Sequence, residues 1–103
     1  MRWIDFARVN RAALAVLPWL LQRWLPDGRL RGTEYTALNP RRRDRSPGSF
    51  KVNVRTGLWA DFAIKGASGS DVVSLAAYLA GISQTEAALR LAEMLGIEAR
   101  RVR

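Results

Sequence analysis

Four arginines fall within five residues, Arg41, Arg42, Arg43 and Arg45, and two further cations, Lys51 and Arg55, follow on what reads as a strand. Tyr35, Trp59 and Phe62 lie on the flanking segments. Guanidinium groups fork onto phosphate oxygens, and aromatic faces stack unpaired bases. Basic residues interleaved with aromatics therefore point to single-stranded nucleic acid. Arg41, Arg42, Arg43, Arg45, Lys51 and Arg55 would contact phosphates, and Tyr35 and Trp59 would contact bases. The competing reading is a solvated charged loop beside ordinary core aromatics.

Other chemistry is poorly provided for. The chain has no Cys and no His, so nucleophilic or acid–base work would fall on carboxylates, Lys, Ser or Tyr. The nine acids show no spacing suited to two-metal or glycosidase chemistry. No catalytic residue, metal or cofactor is expected, and the chain is not expected to be an enzyme. Gly66-Ala67-Ser68-Gly69-Ser70-Asp71 resembles a phosphate-binding turn but lacks the Gly-Lys-Ser/Thr signature. An ordinary turn and helix cap is the stronger reading there.

Composition bounds the rest. A chain of 103 residues with 49% hydrophobic content is expected to form one domain, 1–103, with its own core. Without Cys there is no disulfide framework. The formal charge of +8 favours a polyanionic partner, with nucleic acid ahead of a membrane surface. Arg2, Arg8 and Arg11 before the apolar run Ala12 to Leu21 imitate a secretory leader. Gln22-Arg23-Trp24 stands where small residues should mark cleavage, however, and Pro18 interrupts a run too short to span a bilayer. A cytoplasmic protein with no membrane partner is expected.

The elements that would position the cations can be read in order. A helical region covers 5–25, with Asn10 as a helix cap and Pro18 causing a kink or opening a second helix. Residues 29–38 read as one edge strand, with Tyr35 and Ala37 on one face. Phe50, Val52 and Val54 alternate with polar residues, and Thr56-Gly57 is the predicted two-residue turn to Leu58–Phe62. That turn sets Val52 opposite Asp61 and Val54 opposite Trp59. Asp61 then lies on the apolar face and needs a hydrogen-bond donor. After a Gly/Ser turn, Ser70 or Asp71 caps one helix that Gly81 stops. Ser83 caps a second that ends at Gly96. Residues 98–103 read as a frayed basic tail. The fold class is α+β: a small antiparallel sheet, an N-terminal helical region and two C-terminal helices.

Asn39-Pro40, Ser46-Pro47-Gly48-Ser49-Phe50, the hairpin, Gly69-Ser70-Asp71 and Ala92 through Ile97 carry one further signal by their order. Over 32–97 the chain resembles the CHC2-type zinc-binding domain at the N-terminus of bacterial and phage DNA primases, as a degenerate member. The resemblance places Asn39, Arg42, Asp61 and Ile64 at the four zinc-ligand positions, and only Asp61 could ligate well. It implies a metal-free ribbon-like module that binds template DNA in a phage, plasmid or mobile-element replication system. A replication helicase or primase polypeptide would be the protein partner. The metal's place would be taken by apolar burial of Trp59, Phe62 and Ile64. An Arg42–Asp61 salt bridge would join it; alternatively Arg42 faces solvent and Asp61 bonds backbone amides. The second functional reading is a protein–protein adaptor that docks a replication protein through Trp3, Trp19 and Trp24 of the N-terminal region.

Overall fold

The computed structural model of the chain describes residues 2–41 and 48–102, with the backbone alone for Arg2 and Val102. A short strand β1 (Arg2–Ile4) leads into helix α1 (Phe6–Leu14). Asp5 caps α1, its carboxylate accepting from the Arg8 amide at 3.0 Å. Asn10, expected to cap its own helix, instead lies one turn inside it. Its Oδ1 accepts from the Val73 amide at 2.8 Å, so it caps a helix 63 residues further along. The chain breaks at Ala15-Val16, and helix α2 (Leu17–Trp24) opens with Pro18 in its first turn. The missing proline N–H costs nothing there, because first-turn donors have no intrahelical acceptor.

Five strands follow in one antiparallel sheet, in the order β2 (Arg29–Arg31), β3 (Glu34–Ala37), β4 (Phe50–Asn53), β5 (Trp59–Asp61) and β6 (Ser68–Gly69). The single edge strand expected over 29–38 is a hairpin turning at Gly32, whose φ of +60° suits glycine. Arg29–Arg31 is the true edge, and β3 is interior. The Gly/Ser stretch also contributes a strand, β6. Gly69 is required there because a Cβ would collide with the Trp59 indole and the Ser74 hydroxyl.

The β4–β5 register differs from the expected one. Val52 pairs with Trp59 and Phe50 with Asp61, and the Asn53 amide bonds Leu58 O at 2.7 Å. The connection is Val54–Gly57, closed by the Gly57 amide on Asn53 O and by Asn53 Oδ1 accepting from the amides of Arg55 and Thr56. The Asn53 side chain makes the longer loop self-sufficient in hydrogen bonds. The slip is two residues, an even number, so every side chain keeps its face. Asp61 accordingly sits among Phe50, Val52 and Trp59 on the inner side, as expected.

Helices α3 (Val72–Ala80) and α4 (Gln84–Leu95) complete the helical layer. Asp71 caps the first, accepting from Ser74 N at 2.8 Å, and Ser83 caps the second. Gly81 and Gly96 close them in the left-handed conformation. Inner-face Tyr35, Ala37, Phe50, Val52 and Trp59 join one core with Leu17, Leu20 and Leu21 of α2 and with the buried faces of the other helices. The expected frayed tail is corrected over Arg100–Val102. That segment is strand β7, antiparallel to β1, and the Asp5 amide bonds Ala99 O at 2.8 Å. The α+β architecture is thus an antiparallel sheet with helices on one face and a terminal ribbon. Among the described residues, no single helix is long and apolar enough to cross a membrane.

Candidate nucleic-acid interface

Two buried polar side chains meet between the sheet and the helical layer. Asn39 and Asp61 are buried at 1% and 2% exposure, the only buried polar or charged side chains among the described residues. Asn39 Nδ2 donates to Asp61 Oδ2 at 2.9 Å and to the Tyr78 hydroxyl at 2.8 Å. Asp61 Oδ1 accepts from the Ala63 amide at 2.9 Å, and Asn39 Oδ1 accepts from the Arg41 amide at 2.8 Å. Two of the four positions that the resemblance assigns to zinc ligands are therefore joined directly. The expected donor for Asp61 is present, supplied by an amide side chain and a backbone N–H.

Arg42, with Arg43 and Arg45, lies outside the described residues, and so does the expected Arg42–Asp61 bridge. Ile64 is half-buried, its amide closing a turn onto Asp61 O at 3.0 Å. Phe62 does not help fill the space: its ring is 75% exposed, which corrects that expectation. Strand alternation explains it, since Asp61 faces inward and its neighbour must face out.

Tyr35 and Trp59 are also corrected as base-stacking residues. Tyr35 is buried, and its hydroxyl donates to Leu25 O at 2.6 Å, at the end of α2. Burial, reinforced by the Asp27 carboxylate, raises this phenol above its ordinary pKa against the opposing backbone hydrogen bond from Gly28. Trp59 is buried edge-on to Phe50 and tilted against Tyr78, with Nε1 donating to Ser74 Oγ at 2.9 Å. Both rings belong to the core because their strand positions alternate inward.

The described cations do not form the single patch expected of the loop and hairpin. Arg41 stays on the helix side of the sheet. Its guanidinium lies over the Tyr78 ring at 5.3 Å and donates from Nη1 to Tyr78 O at 2.8 Å, at the C-terminal end of α3. A cation there complements the negative end of the helix. Lys51 projects from the opposite, solvent-facing side and lies 3.4 Å from Glu34. Arg55 is exposed on the loop between β4 and β5.

The solvent face of the sheet holds two cations the sequence reading missed. Register places Arg29, Thr36, Lys51, Ala60 and Ser68 in one cross-strand row, with Arg31, Glu34, Asn53 and Leu58 alongside. A shallow groove of about 630 Å³ runs over Lys51, Ala60 and Ser68 between Leu58 and Phe62. Small residues at Ala60 and Ser68 leave the Phe62 ring accessible from the sheet side. The alternation Arg29-Leu30-Arg31 ahead of Gly32 was the available sign of a separate strand carrying both arginines on one face.

The tryptophans proposed as adaptor anchors do not share one helix face. Trp3 belongs to β1, Trp19 is half-exposed with Arg23 stacked on it at 5.0 Å, and Trp24 is partly buried against the core. Among the described residues, no group of three or more Asp or Glu side chains could hold a metal ion. Compared with known proteins, the chain matches no family model and no curated sequence.

Proposed function

We propose that the protein is a non-catalytic, metal-free nucleic-acid-binding module of a primase-like DNA replication system that holds single-stranded template DNA across the solvent face of its sheet. The observation that carries this reading is the cross-strand placement of Arg29, Arg31 and Lys51 on the solvent face of the sheet, the same face that exposes the Phe62 ring after β5. Cations track a phosphate backbone, and an open aromatic face takes an unpaired base. Among the described residues, the strand rows that hold these three cations contain one carboxylate, Glu34, so the local balance stays positive. The groove on that face is shallow and open, so a strand lying over it is held by its backbone and ring faces rather than by its base edges, and binding should tolerate any sequence. The primase-like part of the reading rests on the order of the ribbon segments and on the meeting of Asn39 with Asp61.

The test is a fluorescence-anisotropy titration of labelled single-stranded and duplex DNA at two salt concentrations. Each phosphate contact on a single strand contributes a slope of about 0.7 in log affinity against log salt. Replacing Arg29, Arg31 and Lys51 together by Ala should therefore reduce the slope by about 2. Phe62→Ala should weaken single-strand binding by about fivefold or more, with little effect on duplex. Absence of binding at low salt, or wild-type affinity in both variants, overturns the reading.

A further inference from the structure

The two edges of the five-stranded sheet are unlike. At one, β6 is two residues long and Gly69 lies against the Ser74 hydroxyl of α3. At the other, β2 is exposed at Arg29, Leu30 and Arg31, and its one strand neighbour is β3. The Val54 amide bonds Thr33 O at 2.8 Å, which sets the alternation along β3. The backbone groups of Tyr35 then bond β4, while those of Glu34 and Thr36 bond Arg31 and Arg29. Leu30, opposite Tyr35, is left with its N–H and C=O turned outward from the sheet. Such an edge takes up an added strand through main-chain hydrogen bonds.

The side chains at this edge set what the added strand must carry. Arg29 and Arg31 stand on the solvent face, and among the described residues neither guanidinium is in an ion pair. Glu34 lies one strand further in, 3.4 Å from Lys51, and Asp27 in the preceding turn acts on the Tyr35 hydroxyl. Leu30 is on the opposite, helix side of the sheet, where it is 46% exposed. A residue opposite Leu30 in an added strand shares that side, and its two neighbours meet Arg29 and Arg31. The matching pattern is acid, apolar, acid. A second copy of the chain does not supply it. Antiparallel pairing about Leu30 would set Arg29 of one copy opposite Arg31 of the other, and like charges directly opposite are destabilising.

We propose that the β2 edge takes up an extended acidic segment of a partner protein as an added strand, with an apolar side chain beside Leu30 and carboxylates on Arg29 and Arg31. The inference does not rest on DNA binding. The two share both arginines, so an acidic strand and single-stranded DNA compete for them.

The experiment is an NMR titration of the isotope-labelled full chain with the capped synthetic peptide Thr-Ser-Glu-Val-Glu-Ser-Thr. One control has Lys for each Glu, and a second is N-methylated at Val, which removes the amide that would bond Leu30 O. The Glu peptide should shift the amides of Arg29, Leu30 and Arg31 and slow exchange at the Leu30 amide by about tenfold or more. It should bind about tenfold or more tightly than either control. Replacing Arg29 and Arg31 together by Glu should reverse the preference between the Glu and Lys peptides. Leu30→Pro removes the outward N–H but none of the bonds to β3, so it should weaken peptide binding by about tenfold and leave DNA binding at the wild-type level. The N-methyl peptide makes the same test without altering the protein. Equal affinity for the Glu and Lys peptides, undiminished binding of the N-methyl peptide, shifts centred away from β2, or no shifts at millimolar peptide would each overturn the proposal. DNA binding is measured without peptide, and Leu30→Pro keeps its cations, so failure of either reading leaves the other standing.

Discussion

The side-chain amide of Asn39 donates to the buried carboxylate of Asp61 across 2.9 Å, joining the segment after β3 to the end of β5. The same amide reaches the hydroxyl of Tyr78 on α3, so one polar side chain ties two sheet segments to the helical layer. A buried carboxylate is tolerable only with such partners, since its desolvation is otherwise uncompensated.

Removing that amide should be expensive. Asn39→Ala is expected to destabilise the fold by about 3 kcal/mol, because Asp61 and Tyr78 each lose a hydrogen-bond donor between the sheet and α3. Urea unfolding of Asn39→Ala, Asp61→Ala and the double variant checks this. A coupling energy near zero would show that the two side chains contribute independently.

Asn10 is a long-range cap. Asn10→Ala leaves the Val73 amide without its acceptor in the first turn of α3 and should cost about 1 kcal/mol. Asn10→Asp keeps an acceptor and should retain most of the stability. Hydrogen exchange at the Val73 amide reports directly on the bond, and equal exchange in wild type and Asn10→Ala would contradict it.

Gly69 is held by close approach rather than by backbone conformation. Gly69→Ala brings a methyl into the Trp59 indole and the Ser74 hydroxyl, both parts of one hydrogen-bonded contact. The strain should cost about 1–3 kcal/mol and alter the near-ultraviolet signal of the tryptophans. An unchanged spectrum with unchanged Tm would mean that β6 shifts freely.

Tyr35 gives the fold an alkaline limit. Its pKa is raised in the folded state, so between the unfolded and folded values the unfolded chain has lost a proton that the native one keeps. Its contribution is full below about pH 10 and is lost as pH rises through the folded value. Tyr35→Phe should flatten the alkaline decline seen by urea unfolding and lower stability at neutral pH by about 1–3 kcal/mol, since Leu25 O loses its donor. An alkaline decline identical to wild type would assign it to other groups.

Local signals in the sequence were sufficient wherever one segment decides its own geometry. Pro18 opened a helix because its fixed φ and missing N–H suit a first turn. Asp71, Gly81, Ser83 and Gly96 bounded α3 and α4 through contacts with residues at most four positions away. The inward face of Asp61 survived a wrong register, because a slip of two residues preserves alternation.

What depends on distant partners was decided by the tertiary structure. Asn10 looked like a local cap, yet its acceptor role is fulfilled 63 residues away, where packing of α1 on α3 supplies the donor. Tyr35 and Trp59 looked available for bases until the helices covered their side of the sheet, leaving Phe62 outside by parity. Arg29 and Arg31 came to stand in rows with Glu34, Thr36 and Lys51 only through strand pairing, which brings together residues from separate parts of the chain. Composition determined that this chain carries excess positive charge and no Cys or His. Which cations face solvent together is a property of the folded sheet, because burial of one face by the helices dictates what the other must expose.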